Sequence, residues 1–157
     1  MMRVEVDQSG KIEWTQKPTA LALANGIRFS VLISAQAKRE VVEELKKRRP
    51  TRDRTSHHIL VFATLLFLLL KDQLPRLTEI VVDVEYHGHD ARIKEHFLNL
   101  CKRHKRPVEP QVISFQRIGK KSPAHNLALA VFRGNTKPGR VLQAVHILRE
   151  ITPKKRK

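Results

Sequence analysis

Polar and apolar residues alternate at period two over Arg3-Val4-Glu5-Val6-Asp7, and Gln8-Ser9-Gly10 ends the run with a turn signal. This predicts a first strand, with Lys11 to Thr15 continuing as a second hairpin arm. Gln16-Lys17-Pro18-Thr19 breaks the pattern. Ala20 to Ala24 and Ile27 to Ile33 flank Asn25-Gly26, a hairpin signal because both residues tolerate positive φ. The first third therefore reads as an antiparallel meander. Ser34 is placed to cap a helix over 35–49 whose apolar stripe is Val41, Val42 and Leu45; Lys46 to Arg49 suit its C-terminal dipole, and Pro50 stops it.

A second helix is predicted from Thr51 or Ser56 to about Gln73. Its stretch from Ile59 to Leu70, interrupted only by Thr64, is apolar on most faces and predicts a helix covered all round. It falls short of the roughly 20 apolar residues a membrane span needs. Ile80 to Tyr86 reads as a central strand covered on both faces despite Asp83 and Glu85. His87-Gly88-His89 is a turn, and Asp90 caps a helix over 91–103. Val112 to Ile118 is the next strand. Ser122-Pro123, a cap followed by proline at the first helical position, opens a helix ending before Gly134. A last helix over 140–150 is read from Val141, Val145 and Leu148. The order predicts an α/β fold: a mixed five-stranded sheet, an antiparallel meander followed by β-α-β crossovers, with helices on both faces. Residues 1–151 read as one domain and 152–157 as a basic disordered tail.

Charge changes this picture. Thirty-one Lys and Arg against fifteen Asp and Glu leave a net charge of +16 over 157 residues. That excess exceeds the roughly 2–8 that solubility asks of a small domain and points to a polyanionic partner. Arg117, Lys120 and Lys121, and Lys102, Arg103, Lys105 and Arg106, form two of the basic clusters expected to contact nucleic-acid phosphates. Aromatic residues are few, with Trp14 and Tyr86 as the exposed candidates, so a duplex or structured nucleic acid fits better than a single strand. Cys101 is the only cysteine, which excludes an internal disulfide and suits a reducing compartment. No apolar signal core follows the N-terminus, so the chain reads as cytoplasmic. The tail 153–157 resembles a nuclear-localisation peptide, and a non-specific phosphate-binding tail explains it equally well.

The candidate chemistry is acid set into apolar strands. Glu5 and Asp7 share one face of the first strand, as Asp83 and Glu85 share one face of the fourth. Unpaired buried carboxylates are costly, so the four need a cation, a hydrogen-bond network or solvent. If the strands are neighbours, oxygen ligands of this kind suit Mg²⁺ or Mn²⁺, with Asp7, Asp83 and Glu85 as the metal set. The plainer readings stand beside this one: Asp7 bonding the backbone of its turn, and Glu5 and Glu85 paired with basic side chains. Gly119-Lys120-Lys121-Ser122 before a helix makes an anion site, without the glycine spacing of a P-loop. His87-Gly88-His89-Asp90 lacks a further nearby His for zinc.

Over about residues 3–133 the chain resembles the ribonuclease H-like superfamily, which includes ribonuclease H and the Holliday-junction resolvases. The resemblance rests on Val4 to Gly10 as a first acidic strand, the meander, a helix carrying Glu40, Glu43 and Glu44, Val81-Val82-Asp83 as the fourth strand, and Gly119 to Ala128 as a final strand-to-helix site. It implies that the first and fourth strands are neighbours, that Asp7 and Asp83 hold divalent metal, and that Glu43 or Glu44 completes the site. The family's last-helix carboxylate is missing, since no Asp or Glu occurs between Glu109 and Glu150; His125 is the candidate substitute, as ligand or proton carrier. The plainer reading of His125 is a surface group in a helix's first turn. The expected function is a nucleic-acid-binding protein acting as a Mg²⁺- or Mn²⁺-dependent nuclease, the alternative a non-catalytic nucleic-acid-binding or assembly module of the same fold.

Overall fold

The computed structural model describes residues 2–151. Its elements are β1 (Met2–Ser9), β2 (Thr19–Ala24), β3 (Phe29–Ile33), α1 (Ala35–Arg48), α2 (Arg54–Leu70), β4 (Leu77–Asp83), α3 (Asp90–Arg103), β5 (Ile113–Gln116), α4 (Pro123–Phe132), β6 (Arg140–Leu142) and α5 (Ala144–Ile151). The strands form one mixed sheet in the order β5-β4-β1-β2-β3-β6. The meander β1-β2-β3 is antiparallel, whereas β4 joins β1, β5 joins β4 and β6 joins β3 in parallel. Asn25 and Gly26 both take the positive φ that their hairpin needs.

Alternation sorts the side chains between the two faces. Val4 and Val6 of β1, Leu21 and Leu23 of β2, and Ile80 and Val82 of β4 join a large core with α1, α2, α3 and α5. The opposite face is covered by α4, whose Leu127, Ala128 and Val131 sit on Ala20 and Ala22. Almost all of α2 is buried, as its apolar run predicts, and Thr64 satisfies its hydroxyl on the Leu60 carbonyl at 2.8 Å. No helix among the described residues is long and apolar enough to cross a membrane. Cys101 is buried on the inner side of α3, and burial pushes its thiol up to about 12.

Several expectations are corrected. The sheet has six strands rather than five, because the start of the last expected helix is extended. Val141 lies on β6 instead, and Gly139, which leads into it, lies so close to β3 that a Cβ there would meet the Phe29 ring at 2.5 Å. The helix begins only at Ala144, and its buried residues include Ile147 and Ile151 while Val145 is 57% exposed. The fourth strand spans Leu77–Asp83, so Val84 to Tyr86 lie beyond it. Asp90 occupies the first turn of α3, whose cap is His89. The tail 152–157 lies outside the described residues.

Lys11 to Thr15 is not a hairpin arm but a turn-rich loop, and a buried lysine holds it. Lys38 Nζ, on α1, donates to the Lys11 carbonyl at 3.0 Å, the Trp14 carbonyl at 2.7 Å and Thr19 Oγ1 at 3.0 Å. Burial lowers this ammonium to about 8, against opposition from Glu13. Gly10 closes the other end of the loop with φ +80°; a Cβ there would meet the Pro18 carbonyl at 2.3 Å. Replacing Lys38 by Met leaves the loop carbonyls without their donor, so Lys38→Met is expected to lose about 2–3 kcal/mol in thermal or urea unfolding. A loss under about 0.5 kcal/mol contradicts this role.

Candidate metal centre

Parallel pairing of β1 with β4 matches Glu5 to Val81 and Val6 to Val82. One step further along each strand stand Asp7 and Asp83, on the α4 face because their inward neighbours Val6 and Val82 belong to the opposite core. Glu85 follows Asp83 by two residues. One carboxylate oxygen from each of Asp7, Asp83 and Glu85 lies within 4.8 Å of the others.

Each acid is held differently. Asp7 is 4% exposed; its Oδ1 accepts the Gln8 N–H at 2.8 Å and its Oδ2 lies 2.8 Å from His125 Nδ1. Burial raises its carboxyl above the ordinary range; the Gln8 and His125 bonds work against that, and the charge of Asp83 adds to it. Asp83 Oδ1 accepts the Ile118 N–H at 2.9 Å, which ties β4 to the loop after β5. Glu85 is pushed up to about 7, first by burial and then by the charges of Asp7 and Asp83.

The opposite wall is the start of α4. Ser122 caps the helix by accepting the Ala124 N–H at 3.2 Å and donates its own hydroxyl to Glu5 Oε1 at 2.8 Å. Pro123 fixes the first helical residue, and the first turn brings His125 onto Asp7. A cleft of about 270 Å³ opens between the acids and this turn, with Arg117, Gly119 and Lys120 also on its lining.

Asp7, Asp83, Glu85, His125, Arg117 and Lys120 are thus gathered in one place. Glu5 faces the same side of the sheet but is engaged by Ser122 and by Arg3 at 3.4 Å. Glu43 and Glu44 do not join the cluster. They lie on the outer side of α1, in pairs with Lys46 at 3.8 Å and Arg48 at 2.9 Å, and α1 packs beside α2 and α5 on the other face of the sheet. Lys121 is exposed outside the cleft lining. The Lys102–Arg106 group lies elsewhere, with Arg103 bonded to Glu150 and Arg106 to the Lys71 carbonyl. Trp14 is 48% exposed, but Tyr86 turns inward, its ring centroid 5.3 Å from that of Phe62 and its hydroxyl accepting the Ile12 N–H at 3.4 Å.

Sequence reasoning missed Gln8 as a cleft residue, and its amide gives no pattern that separates it from an ordinary turn residue. The donor set, three carboxylates whose mutual repulsion and burial hold Glu85 up to about 7, fits a hard divalent cation. No protein-family model matches the chain, and no curated protein matches it.

In metal-free protein the raised Glu85 carboxyl has a sign that can be checked. The folded state keeps this proton up to about 7 whereas the unfolded chain releases it near 4.5, so stability falls as pH rises through that window. Glu85→Gln removes this dependence. In EDTA the variant is expected to melt above the wild type at pH 8 and to lose that advantage at pH 4.5; melting curves that stay parallel across the range contradict the assignment.

Proposed function

We propose that the protein binds nucleic acid on a ribonuclease H-like fold and cleaves phosphodiesters with Mg²⁺ or Mn²⁺ held by Asp7, Asp83 and Glu85. The observation that carries this reading is the convergence of Asp7 from β1, Asp83 from the adjacent parallel strand β4 and Glu85 from just beyond it, opposite Arg117 and Lys120 in one cleft. The adjacency of β1 and β4 agrees with the resemblance noted in the sequence, and the net charge of +16 favours a polyanionic substrate.

When bound, such a cation supplies Lewis-acid polarisation of the scissile phosphate and activation of water. The chain's own residues supply the rest. Asp7 keeps lone pairs for a ligand beyond its bonds to Gln8 and His125, because a carboxylate accepts at about four sites. Asp83 is oriented by the Ile118 N–H. Arg117 and Lys120 offer cationic donors to substrate phosphate on the cleft lining. His125 is fixed through Nδ1 by Asp7, which leaves Nε2 as the ring nitrogen that can carry a proton to or from the reacting groups.

A second reading, a binding module without catalysis, is favoured by one fact: no carboxylate occurs between Glu109 and Glu150 to complete a fourth ligand. Asp7→Asn separates the two. Mn²⁺ at about 100 times its Kd stabilises a protein by about 2.7 kcal/mol, a rise in Tm of roughly 5–10 °C for a chain of this size. The wild type is expected to show that rise and Mn²⁺-dependent cleavage of duplex or structured substrates. Asp7→Asn is expected to lose both while keeping salt-sensitive binding. Wild type that binds duplex yet neither responds to Mn²⁺ nor cleaves supports the binding module and removes the nuclease.

A further inference from the structure

A second basic cleft lies away from the carboxylates, on the sheet face opposite α4, where the C-terminal end of α1 and the start of α2 meet α3. Arg49, Arg52, Ser56, His57, Arg92 and His96 line a lobe of about 40 Å³, and no carboxylate is among its walls. Arg49, Leu60 and His96 are shared with a neighbouring cavity of about 170 Å³ that extends to Arg103 and Glu150.

The guanidinium groups here are positioned without a close ion pair. Arg92 donates to Ser56 Oγ at 2.8 Å and Arg49 to the Ile151 carbonyl at 3.2 Å, both uncharged acceptors. Among the described residues no carboxylate forms an ion pair with Arg49, Arg52 or Arg92. Two acids stand nearby: Asp53 accepts the Ser56 N–H at 2.7 Å as the cap of α2 and interacts through its charge with Arg92, while Glu150 Oε1 lies 2.7 Å from His104 Nε2 and 3.6 Å from Arg103. The concentration of positive charge is felt at His96, which burial lowers and Glu95 raises, with Arg92, Arg49 and Arg52 lowering it further. His57, whose Nε2 donates to the Arg49 carbonyl at 3.2 Å, fixes the backbone that presents Arg49.

Size selects the ligand. A lobe of about 40 Å³ holds a few water-sized groups, at roughly 10–15 Å³ each, and so fits a tetrahedral oxyanion. It is far below the roughly 300 Å³ at which pockets accept drug-sized organic ligands. Arginine forks match phosphate oxygens bidentately. We propose that this cleft is a phosphate-binding site, with Arg49, Arg52 and Arg92 as cationic donors beside the His96 ring. The phosphate is either a free or terminal group or one in a nucleic-acid backbone. None of these residues belongs to the candidate metal centre, so the site stands whether or not that centre cleaves anything.

Inorganic phosphate is the first probe, titrated calorimetrically in EDTA at constant ionic strength. Arg52→Gln combined with Arg92→Gln is expected to weaken binding by about tenfold or more. Amide NMR shifts in the unmutated protein provide a readout that does not depend on the variant folding: they are expected around 49–57 and 92–96. A short duplex with and without a 5′-phosphate identifies the source. A gain of about tenfold from the 5′-phosphate assigns a terminal or free phosphate, and equal affinities, both weakened by the double variant, assign the backbone. Phosphate binding unaltered in a natively folded double variant, shifts confined to 117–125, or no phosphate binding at all would each overturn the proposal.

Discussion

Pairing between β1 and β4 decides which acids meet. In a parallel ladder the register is fixed by the side chains buried on one face, because a slip of one residue would exchange the two faces of the strand. Here Val4, Val6, Ile80 and Val82 are locked into the large core on the face opposite α4, so Glu5, Asp7 and Asp83 have only the α4 face to occupy. The carboxylates are therefore brought together by hydrophobic burial on the far side of the sheet. Their repulsion is carried by that burial and by the Gln8, Ile118 and His125 donors. Removal of apolar bulk under β1 would disturb the acids without touching them.

The helix opposite completes the arrangement by similar means. Ser122 joins the end of α4 to Glu5, and the hairpin-forming β2 supplies the surface on which that helix rests. The acids and the basic residues come from segments far apart in the chain: the first strand, the fourth, and the loop after the fifth. What links them is that β1 sits between β4 and β2 in the sheet, with the loop after β5 returning across the same edge.

Much of this was legible in the residues. The alternation at Arg3 to Asp7, the Asn25-Gly26 turn, the Ser34 cap and the Ser122-Pro123 start were local signals with local causes, and each appears where its chemistry demands. The failures had physical origins as well. Val141 falls into helical spacing with Val145 and Leu148 of α5 by coincidence, and a three-residue edge strand is too short to show a period of its own. Lys11 to Thr15 looked extended because nothing nearby in sequence announces that Lys38 will take its carbonyls. Glu43 and Glu44 were assigned by resemblance, and which face of a sheet a helix crosses is a tertiary fact. The Arg49–Arg92 cleft draws on three helices, so no segment alone carries its signature.

The alanines of β2 have a consequence of their own. Ala20 and Ala22 are completely enclosed beneath α4, and their single methyl groups set the height at which that helix rides above the sheet. Any larger side chain there would act as a shim, lifting the first turn and lengthening the reach from imidazole to aspartate. The separation of the two cleft walls is thus adjustable from a hidden layer, by residues outside the cleft lining.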